Sequence, residues 1–185
     1  MLISFSGCQS SGKTTLLNHL QERNKEPFVF VPEVTRLVKR TYNTPINEEG
    51  TDVTQMLICA EHLQNCYRYK PDQVVILDRC SLDGLVYTHW LVDRRKVSLS
   101  TWTFASTVYS ETIPNYDIIF YTSPYDVVLE ADGERSTNKE FRDDIILLFE
   151  SAIERYRSKK LGKLVELYGD VENRLQIIQK TLAEH

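Results

Sequence analysis

The most constraining feature of the sequence is an eight-residue segment near its start, residues 7–14, which has the order Gly-Cys-Gln-Ser-Ser-Gly-Lys-Thr. It follows a short apolar run at 2–5 and precedes a pattern in which leucines recur on one helical face. This is a complete G-x-x-x-x-G-K-T phosphate-binding loop in the strand–loop–helix context that the motif requires. The chain must therefore fold so that a buried strand leads directly into this loop and then into a helix.

The segment has the composition that a polyphosphate site needs. Glycine permits the backbone angles and the close approach through which main-chain N–H groups turn inward around an anion. The helix that follows presents the positive end of its dipole to the same anion. Lys13 would reach the β- and γ-phosphates and the Thr14 hydroxyl would hold Mg²⁺, so we expect ATP and Mg²⁺ as cofactors. The predicted ATP-binding residues are Gly7, Cys8, Gln9, Ser10, Ser11, Gly12, Lys13, Thr14 and Thr15.

The composition is that of one ordinary globular domain, which we place over residues 1–185. Of these residues, 42% are hydrophobic and 26% are charged, as is typical of soluble proteins. The net charge of −4 provides no general attraction for nucleic acid, so we do not expect a motor on duplex DNA. No apolar stretch approaches the length of a membrane span, and the N-terminus lacks a signal-peptide pattern. The expected location is the cytoplasm.

Apolar runs that predict strands alternate with segments of helical periodicity. The runs at 74–77 and 118–121 are continuously apolar, which is typical of strands covered on both faces. The alternation predicts a three-layer α/β fold in which a parallel sheet lies between helices. The predicted strands are 2–6, 28–31, 73–77, 117–121 and 163–167, and the predicted helices are 13–23, 33–41, 52–70, 81–92, 100–112, 139–158 and 170–183.

Two polar stretches, residues 42–51 and residues 130–139, interrupt this alternation. Loops of this length often carry function. The second contains Arg135 close to the flexible Gly133, with Arg142 seven residues further on. Phosphoryl transfer spreads negative charge over three equatorial oxygens, which an arginine on a closing loop can stabilise. We therefore predict a lid around 130–139, with Arg135 and Arg142 as catalytic cations; the alternative is a solvated charge cluster.

A predicted buried strand is followed by Asp78 and Arg79. An aspartate at this place beside a phosphate loop is the expected second Mg²⁺ anchor. The alternative is that Asp78 caps the helix that begins near Ser81. Because side chains alternate along an extended backbone, Arg79 should face away from the metal and toward a substrate. The sequence thus predicts Thr14 and Asp78 as metal ligands and Arg79 as a catalytic and substrate-binding residue.

Glu33 lies just after the second predicted strand. In a parallel α/β sheet, ligands gather at the carboxyl ends of the strands, and a carboxylate there could accept a proton from an attacking hydroxyl. Arg36 lies one turn along the following helix and should face the same way. The alternative for Glu33 is a favourable interaction with the helix dipole alone.

Several segments together resemble the small P-loop kinases of the nucleoside and nucleotide kinase superfamily. They are the phosphate loop, Val-Pro-Glu at 31–33, Val-Val-Ile-Leu-Asp-Arg at 74–79 and Asp-Gly-Glu-Arg at 132–135. The chain is most similar to the AAA-like kinase family that includes ribosylnicotinamide kinase domains and many phage proteins, and residues 56–87 also resemble thymidylate kinase. The resemblance implies a five-stranded parallel sheet in the order 2-3-1-4-5.

The resemblance also implies roles for individual residues. Glu33 matches the acidic residue that nucleoside kinases place near the acceptor hydroxyl. Asp78 and Arg79 match the pair of an acidic residue and an arginine that nucleoside and thymidylate kinases share. Arg135 matches a lid arginine.

Two positions depart from the thymidylate kinase pattern. Those enzymes carry an arginine before the proline at the end of the second strand, where this chain has Val31. They carry another arginine on the third helix to hold a monophosphate, and His62 lies near that place. Both departures argue against dTMP as the acceptor. The predicted substrate-binding residues are Glu33, Arg36, His62 and Arg79.

These features predict an ATP- and Mg²⁺-dependent kinase for a small nucleoside or nucleotide acceptor, and a homodimer is compatible with the sequence. One alternative is a kinase for a polynucleotide 5′-hydroxyl or a modified base in DNA. It needs an open basic groove, which an acidic chain disfavours. Another is a nucleotide-binding ATPase or switch module, but no residue that would position water is evident, and the arginine loop argues against it.

Overall fold

The computed structural model describes residues 1–23, 28–126, 138–159 and 161–184, and within them it contains a five-stranded parallel sheet. The strands are hydrogen-bonded in the order β2-β3-β1-β4-β5, so β1 lies at the centre. The predicted α/β class and strand order are both confirmed. The strands are β1 (Leu2–Ser6), β2 (Val29–Val31), β3 (Val75–Asp78), β4 (Ile118–Thr122) and β5 (Lys163–Leu167).

Helices cover both faces of this sheet. They are α1 (Lys13–Arg23), α2 (Val34–Tyr42), α3 (Asp52–Tyr67), α4 (Ser81–Asp93), α5 (Leu99–Thr112), α6 (Lys139–Lys159) and α7 (Val171–Ala183). On one face, α1 and α7 pack against Ile3, Phe5 and Phe120. On the other face, α4 and α6 pack together against Leu77 and Ile119. No helix in the described part of the chain is both long and apolar enough to cross a bilayer.

This layering explains why the central strands are continuously apolar. Alternate residues of a strand point to opposite faces of the sheet. In β4, Ile118 and Phe120 enter the core beneath α1 and α7, while Ile119 and Tyr121 enter the core beneath α4 and α6. All four side chains are buried. Burial of each large apolar side chain contributes about 1.5–3 kcal/mol, so both faces of this strand stabilise the fold.

The strand register brings the carboxyl ends of the three central strands to one edge. Phe5 of β1 lies opposite Asp78 of β3, and Ser6 lies opposite Tyr121 of β4. The loop that follows β1 therefore emerges between the ends of β3 and β4. As a result, Asp78 lies beside the phosphate loop although more than sixty residues separate them in sequence.

The predicted element bounds agree with the structure to within three residues, and the largest difference is at the end of the third helix, which is Tyr67 instead of residue 70. The polar stretch at 42–51 is not wholly irregular, because it contains a 3₁₀ helix, Asn47–Glu49. Asp170 caps the last helix, since the Asn173 N–H donates to Asp170 Oδ1 at 2.9 Å.

Candidate active site

The phosphate loop makes a sharp turn that requires glycine at its first position. Gly7 has a φ of +139°, and a Cβ there would lie 2.6 Å from Thr122 Oγ1. Ser10 and Gly12 also have positive φ values, +55° and +88°. Turns of this kind direct successive main-chain N–H groups into one hollow, which suits an anion. The backbone of the loop thus has the form predicted for a polyphosphate site.

The Lys13 side chain lies in this hollow. Its Nζ donates to the carbonyl oxygens of Gly7 at 2.8 Å and Cys8 at 2.7 Å, and to Ser11 Oγ at 3.2 Å. Burial, together with the nearby charge of Arg79, lowers the pKa of Lys13 to about 8. An anion in the hollow would act in the opposite direction and favour the ammonium form. Lys13 is therefore placed to exchange carbonyl partners for phosphate oxygens.

Hydrogen bonds from the scaffold hold the loop in this shape. Tyr87 on α4 donates its hydroxyl to Gln9 Oε1 at 2.9 Å. Thr122 at the end of β4 donates to the Ser6 carbonyl at 3.0 Å and shares a hydroxyl–hydroxyl bond with Ser11. The loop is thus fixed from two sides before any ligand arrives, which is the condition for preorganised binding.

Two predicted ATP-binding residues, Cys8 and Thr15, do not line the cavity of the loop. The Cys8 side chain is fully buried in the core beneath α4 and α6, and the Thr15 side chain is exposed on α1. The loop residues that line the cavity are Ser10, Ser11, Gly12, Lys13 and Thr14.

Arg79 lies at the centre of a network of ion pairs beside the loop. Its Nε donates to Glu33 Oε1 at 2.8 Å, and its Nη1 donates to Asp83 Oδ1 at 3.0 Å and to the Gly7 carbonyl at 3.1 Å. Arg36 holds the other oxygen of Glu33, with Nε to Oε2 at 2.9 Å. Three segments that are remote in sequence, the end of β2, the start of α4 and the phosphate loop, are thereby joined through one guanidinium.

Arg79 chiefly determines the ionisation of Glu33, with smaller contributions from Lys13 and Arg36. Burial alone would raise the pKa of this carboxyl, but the charge and hydrogen bond of Arg79 outweigh burial and lower the pKa to about 2. Glu33 is therefore a carboxylate at neutral pH. Glu33 precedes α2, but its side chain makes no capping hydrogen bond to that helix. The ion pairs with the two arginines, and not the helix alone, therefore account for the orientation of this side chain.

Asp78 ends β3 beside the loop and is only 7% exposed. Its Oδ1 accepts no hydrogen bond from any described residue. Burial first, and the charge of Glu33 second, raise its pKa to about 6. The capping alternative is excluded, because Cys80 and not Asp78 is the N-cap of α4. Asp78 is therefore a buried carboxylate with one oxygen that no described residue satisfies.

The residues present fit a magnesium site. Thr14 and Asp78 line the same cleft between α1 and α2. A hydroxyl oxygen and an unsatisfied carboxylate oxygen are ligands that Mg²⁺ prefers, and the ion keeps several waters. A divalent cation at this place would also remove the cost of ionising Asp78 in a buried setting.

His62 lies in a second, partly enclosed pocket on the other side of Arg79. It is 1% exposed, its Nε2 has no hydrogen-bond partner among the residues described, and burial lowers its pKa to about 4. Gly84 makes room for the ring, since a Cβ there would lie 3.3 Å from His62 Cδ2. The pocket thus contains an uncharged imidazole. Its lining residues are Thr35, Asn47, Gln55, Ile58, His62, Arg79, Asp83, Gly84 and Tyr87.

The structure brings most of the predicted site residues together. Arg79 contributes both to the His62 pocket and to the cavity at the mouth of the phosphate loop. Asp78 lines the cleft with Thr14, whereas Arg79 lines the His62 pocket and the loop cavity. Arg79 has a φ of +79° instead of the extended backbone that the sequence predicted. The loop cavity is lined by Ser10, Ser11, Gly12, Lys13, Thr14, Glu33 and Arg79.

Residues 2–174 match the family model described as an AAA domain. The chain belongs to this family. No curated protein matches the chain by sequence. The match covers the phosphate loop, the ion-pair network and the pocket described above.

Solved structures confirm the fold of this AAA domain. Deoxyadenosine kinase from M. mycoides, solved with products dCMP and dCDP, is 14% identical, with a TM-score of 0.75 and 100% of both chains covered. Thymidylate kinase from Candida albicans is 15% identical, with a TM-score of 0.69. The alignment covers 99% of this chain and 91% of that chain. NadR protein in complex with NR is 18% identical, with a TM-score of 0.69. The alignment covers 97% of this chain but 50% of that chain.

One residue of the network, Asp83, was not anticipated from the sequence. Its carboxylate accepts hydrogen bonds from Ser6 Oγ at 2.8 Å and from the main-chain N–H groups of Cys80 at 3.1 Å and Gly7 at 3.3 Å, in addition to Arg79. The spacing from Cys80 indicates a capping box, and the spacing from Arg79 indicates an i,i+4 ion pair. Neither local pattern shows that the same carboxylate also holds the phosphate loop.

The predicted lid is only partly within the described residues. Arg135 and residues 130–137 lie outside them, so the lid and the role of Arg135 stay predictions. Arg142, on α6, donates from Nη2 to the Pro124 carbonyl at 3.0 Å. Its charge also acts at Cys8, where Lys13 and Arg142 oppose the increase in the thiol pKa that burial causes. Arg142 is therefore close enough to the loop for its charge to matter there.

The neutral His62 predicts a specific dependence of stability on pH. Its pKa is lowered from 6.5 to about 4 in the folded chain, so the unfolded chain binds the extra proton between those values. The free energy of unfolding should therefore decrease as the pH drops from about 6.5 to 4. The contribution of His62 to this decrease should be about 2–3 kcal/mol. Urea unfolding of the wild type and of His62→Leu between pH 7.5 and pH 4 measures this loss.

His62→Leu should lack this component. Parallel pH profiles of the wild type and His62→Leu would contradict the assignment of a buried, uncharged His62.

Proposed function

We propose that the chain is a Mg²⁺-dependent kinase that transfers the γ-phosphoryl group of ATP to a hydroxyl of an uncharged nucleoside-like acceptor. The observation that carries this proposal is the position of Arg79. It lines both the cavity of the phosphate loop and the polar pocket that contains His62. A donor phosphate in the first cavity and an acceptor hydroxyl in the second would meet beside this guanidinium.

The donor would be held by the phosphate loop. Its main-chain N–H groups and Lys13 would bind the β- and γ-phosphate oxygens. Thr14 and Asp78 would hold Mg²⁺, which, when bound, neutralises charge on those oxygens. Phosphoryl transfer requires little covalent help, so fixing these groups in place would supply most of the rate.

The acceptor pocket has no surplus positive charge. Arg79 is paired with Glu33 and Asp83, and Arg36 is paired with Glu33. These two arginines and two carboxylates balance each other, and the remaining titratable group, His62, is uncharged at neutral pH because its pKa is about 4. A nucleoside monophosphate would bring about −1.5 to −2 charges into this balanced site, whereas a nucleoside brings none. The charge balance therefore favours the nucleoside, in line with the deoxyadenosine kinase among the structural neighbours.

Glu33 would orient the acceptor hydroxyl instead of acting as a strong base. A carboxylate whose pKa is about 2 has little tendency to hold a proton at neutral pH. It remains a good hydrogen-bond acceptor, and in a loose phosphoryl-transfer transition state the hydroxyl keeps its proton until late. The two arginines that fix Glu33 also fix the direction from which that hydroxyl would approach the γ-phosphate.

The lid would complete the site. Arg135 would approach the transferring group from the 130–139 segment, and Arg142 would support it from α6, as the sequence predicts. The acidic chain and the enclosed pocket disfavour a polynucleotide acceptor. The cytoplasmic location and the homodimer stay predictions.

Lys13→Ala should abolish phosphoryl transfer without unfolding the chain. Loss of a preorganised charge-stabilising group typically costs ~10²–10³ in rate or more. Initial rates with [γ-³²P]ATP and a mixture of nucleosides, together with a thermal melt, test this expectation. Lys180→Ala, which changes an exposed lysine on α7, serves as the control and should keep the wild-type rate. A folded Lys13→Ala variant with wild-type turnover would refute the role of the loop.

Transfer should require Mg²⁺ or Mn²⁺, and Asp78→Asn should raise the metal concentration for half-maximal rate by ~10–100-fold, as is typical when a metal site loses a supporting group. Asp72→Asn changes an exposed aspartate outside the site and should leave the metal titration unchanged. Full activity in excess chelator, or identical titrations for the wild type and Asp78→Asn, would exclude this metal site.

Nucleosides should be preferred over their 5′-monophosphates by at least ~10²-fold in kcat/KM, because an unpaired buried charge costs several kcal/mol. The measurement is product analysis by mass spectrometry after reaction of ATP with each nucleoside and its matching monophosphate. Phosphorylation of the monophosphates with equal or higher kcat/KM would show that the charge argument is wrong while leaving the kinase assignment in place.

A further inference from the structure

A buried arginine at the start of α7 connects three loops at the carboxyl edge of the sheet. Arg174 is 2% exposed. Its Nε donates to the Gly169 carbonyl at 2.9 Å, its Nη1 to the Ser11 carbonyl at 2.8 Å and its Nη2 to the Ser123 carbonyl at 2.9 Å. These carbonyls belong to the loops that leave β5, β1 and β4. One planar guanidinium thus holds three loops of the candidate active site in a fixed relation.

Burial of the Arg174 guanidinium costs desolvation free energy. The position of its hydrogen-bond partners is therefore a feature of the fold that needs an explanation. The ion pair that Arg174 makes is with Asp126, at 3.6 Å, and that carboxylate is 40% exposed. Burial lowers the pKa of Arg174, although an arginine remains charged at neutral pH. Its partners are otherwise neutral carbonyl groups, so a buried charge is only partly compensated. The planar fork of arginine can serve three carbonyls at once, and a lysine ammonium cannot match that geometry.

The bond to Ser11 has a consequence for the phosphate loop. The peptide between Ser11 and Gly12 is planar and trans, so its C=O and N–H point in opposite directions. Arg174 draws the Ser11 carbonyl toward α7. The Gly12 N–H must then point away from the Arg174 guanidinium, and Gly12 lines the same cavity as Lys13. The φ of +88° at Gly12 is one that glycine adopts without strain.

We propose that Arg174 is a positioning residue that directs the Gly12 N–H at the donor phosphates. It acts through the orientation of a peptide and makes no contact with substrate itself. The inference rests on the proposed binding of ATP at the phosphate loop. It adds to that function a residue on α7 that lies 163 positions from the carbonyl it holds.

The test compares phosphate affinity and stability in the same variants. Inorganic tripolyphosphate is titrated by calorimetry into the wild type, Arg174→Lys and Arg174→Met, at a temperature well below the melting point of each protein. Arg174→Lys and Arg174→Met should bind at least ~10-fold more weakly, the scale expected when charge-assisted hydrogen bonds are lost. Arg23→Met is the matched control, because it removes an exposed contact between α1 and α7, the 3.3 Å pair with Glu172, and should bind as the wild type does.

A purely structural role would lower the melting temperature of the Arg174 variants and leave the tripolyphosphate affinity of the folded protein unchanged. That result for Arg174→Lys overturns the inference, even if Arg174→Met does not fold. A second measurement needs no variant: in the wild type, the ¹⁵N–¹H signal of Gly12 should shift strongly on addition of tripolyphosphate, and an unmoved signal also overturns it. A wild type that binds neither tripolyphosphate nor ATP would refute the proposed function itself, and this inference with it.

Discussion

The ion-pair network around Arg79 is the interaction on which the candidate site depends. One guanidinium is bonded to Glu33 after β2, to Asp83 in the first turn of α4 and to the carbonyl of Gly7. Each of these groups is largely buried, and removal of one partner from a buried ion pair typically costs about 3–5 kcal/mol. The network also maintains Arg79 at a φ of +79°, a region that is uncommon outside glycine. Stability and site geometry are therefore coupled through the same few atoms.

The parallel sheet supplies the frame in which this network can form. Because β1 is central, the loop that follows it has β3 on one side and β4 on the other. The end of β3 supplies Asp78 beside the loop, and the end of β4 supplies the Thr122 hydroxyl that bonds to Ser11. Arg79 bonds to the loop at the Gly7 carbonyl, and Arg174 bonds to it from α7 at the Ser11 carbonyl. In the proposed kinase, the first arginine would align the two substrates, and the second would keep the phosphate-binding N–H groups in place.

The sequence predicted the parts of the site whose signals are local. The phosphate loop has a complete motif, and Glu33 and Asp78 follow apolar runs that mark strand ends. Asp83 and Arg174 were missed for one physical reason. In sequence, Asp83 is an ordinary acidic residue in a first helical turn, and its bond to Ser6 spans 77 residues. The bond of Arg174 to Ser11 spans 163. Such roles arise only when the sheet brings distant loops together.

In the proposed kinase, a donor-phosphate site and a site for an uncharged acceptor adjoin at Arg79. The affinity of a compound in which adenosine and a nucleoside are joined through four phosphates tests this arrangement. Such a compound should bind ~10²-fold or more tightly than ATP, since one molecule would engage both sites, and it should bind better than the analogue with five phosphates, which mimics a monophosphate acceptor. An affinity no higher than that of ATP would show that the two sites do not adjoin.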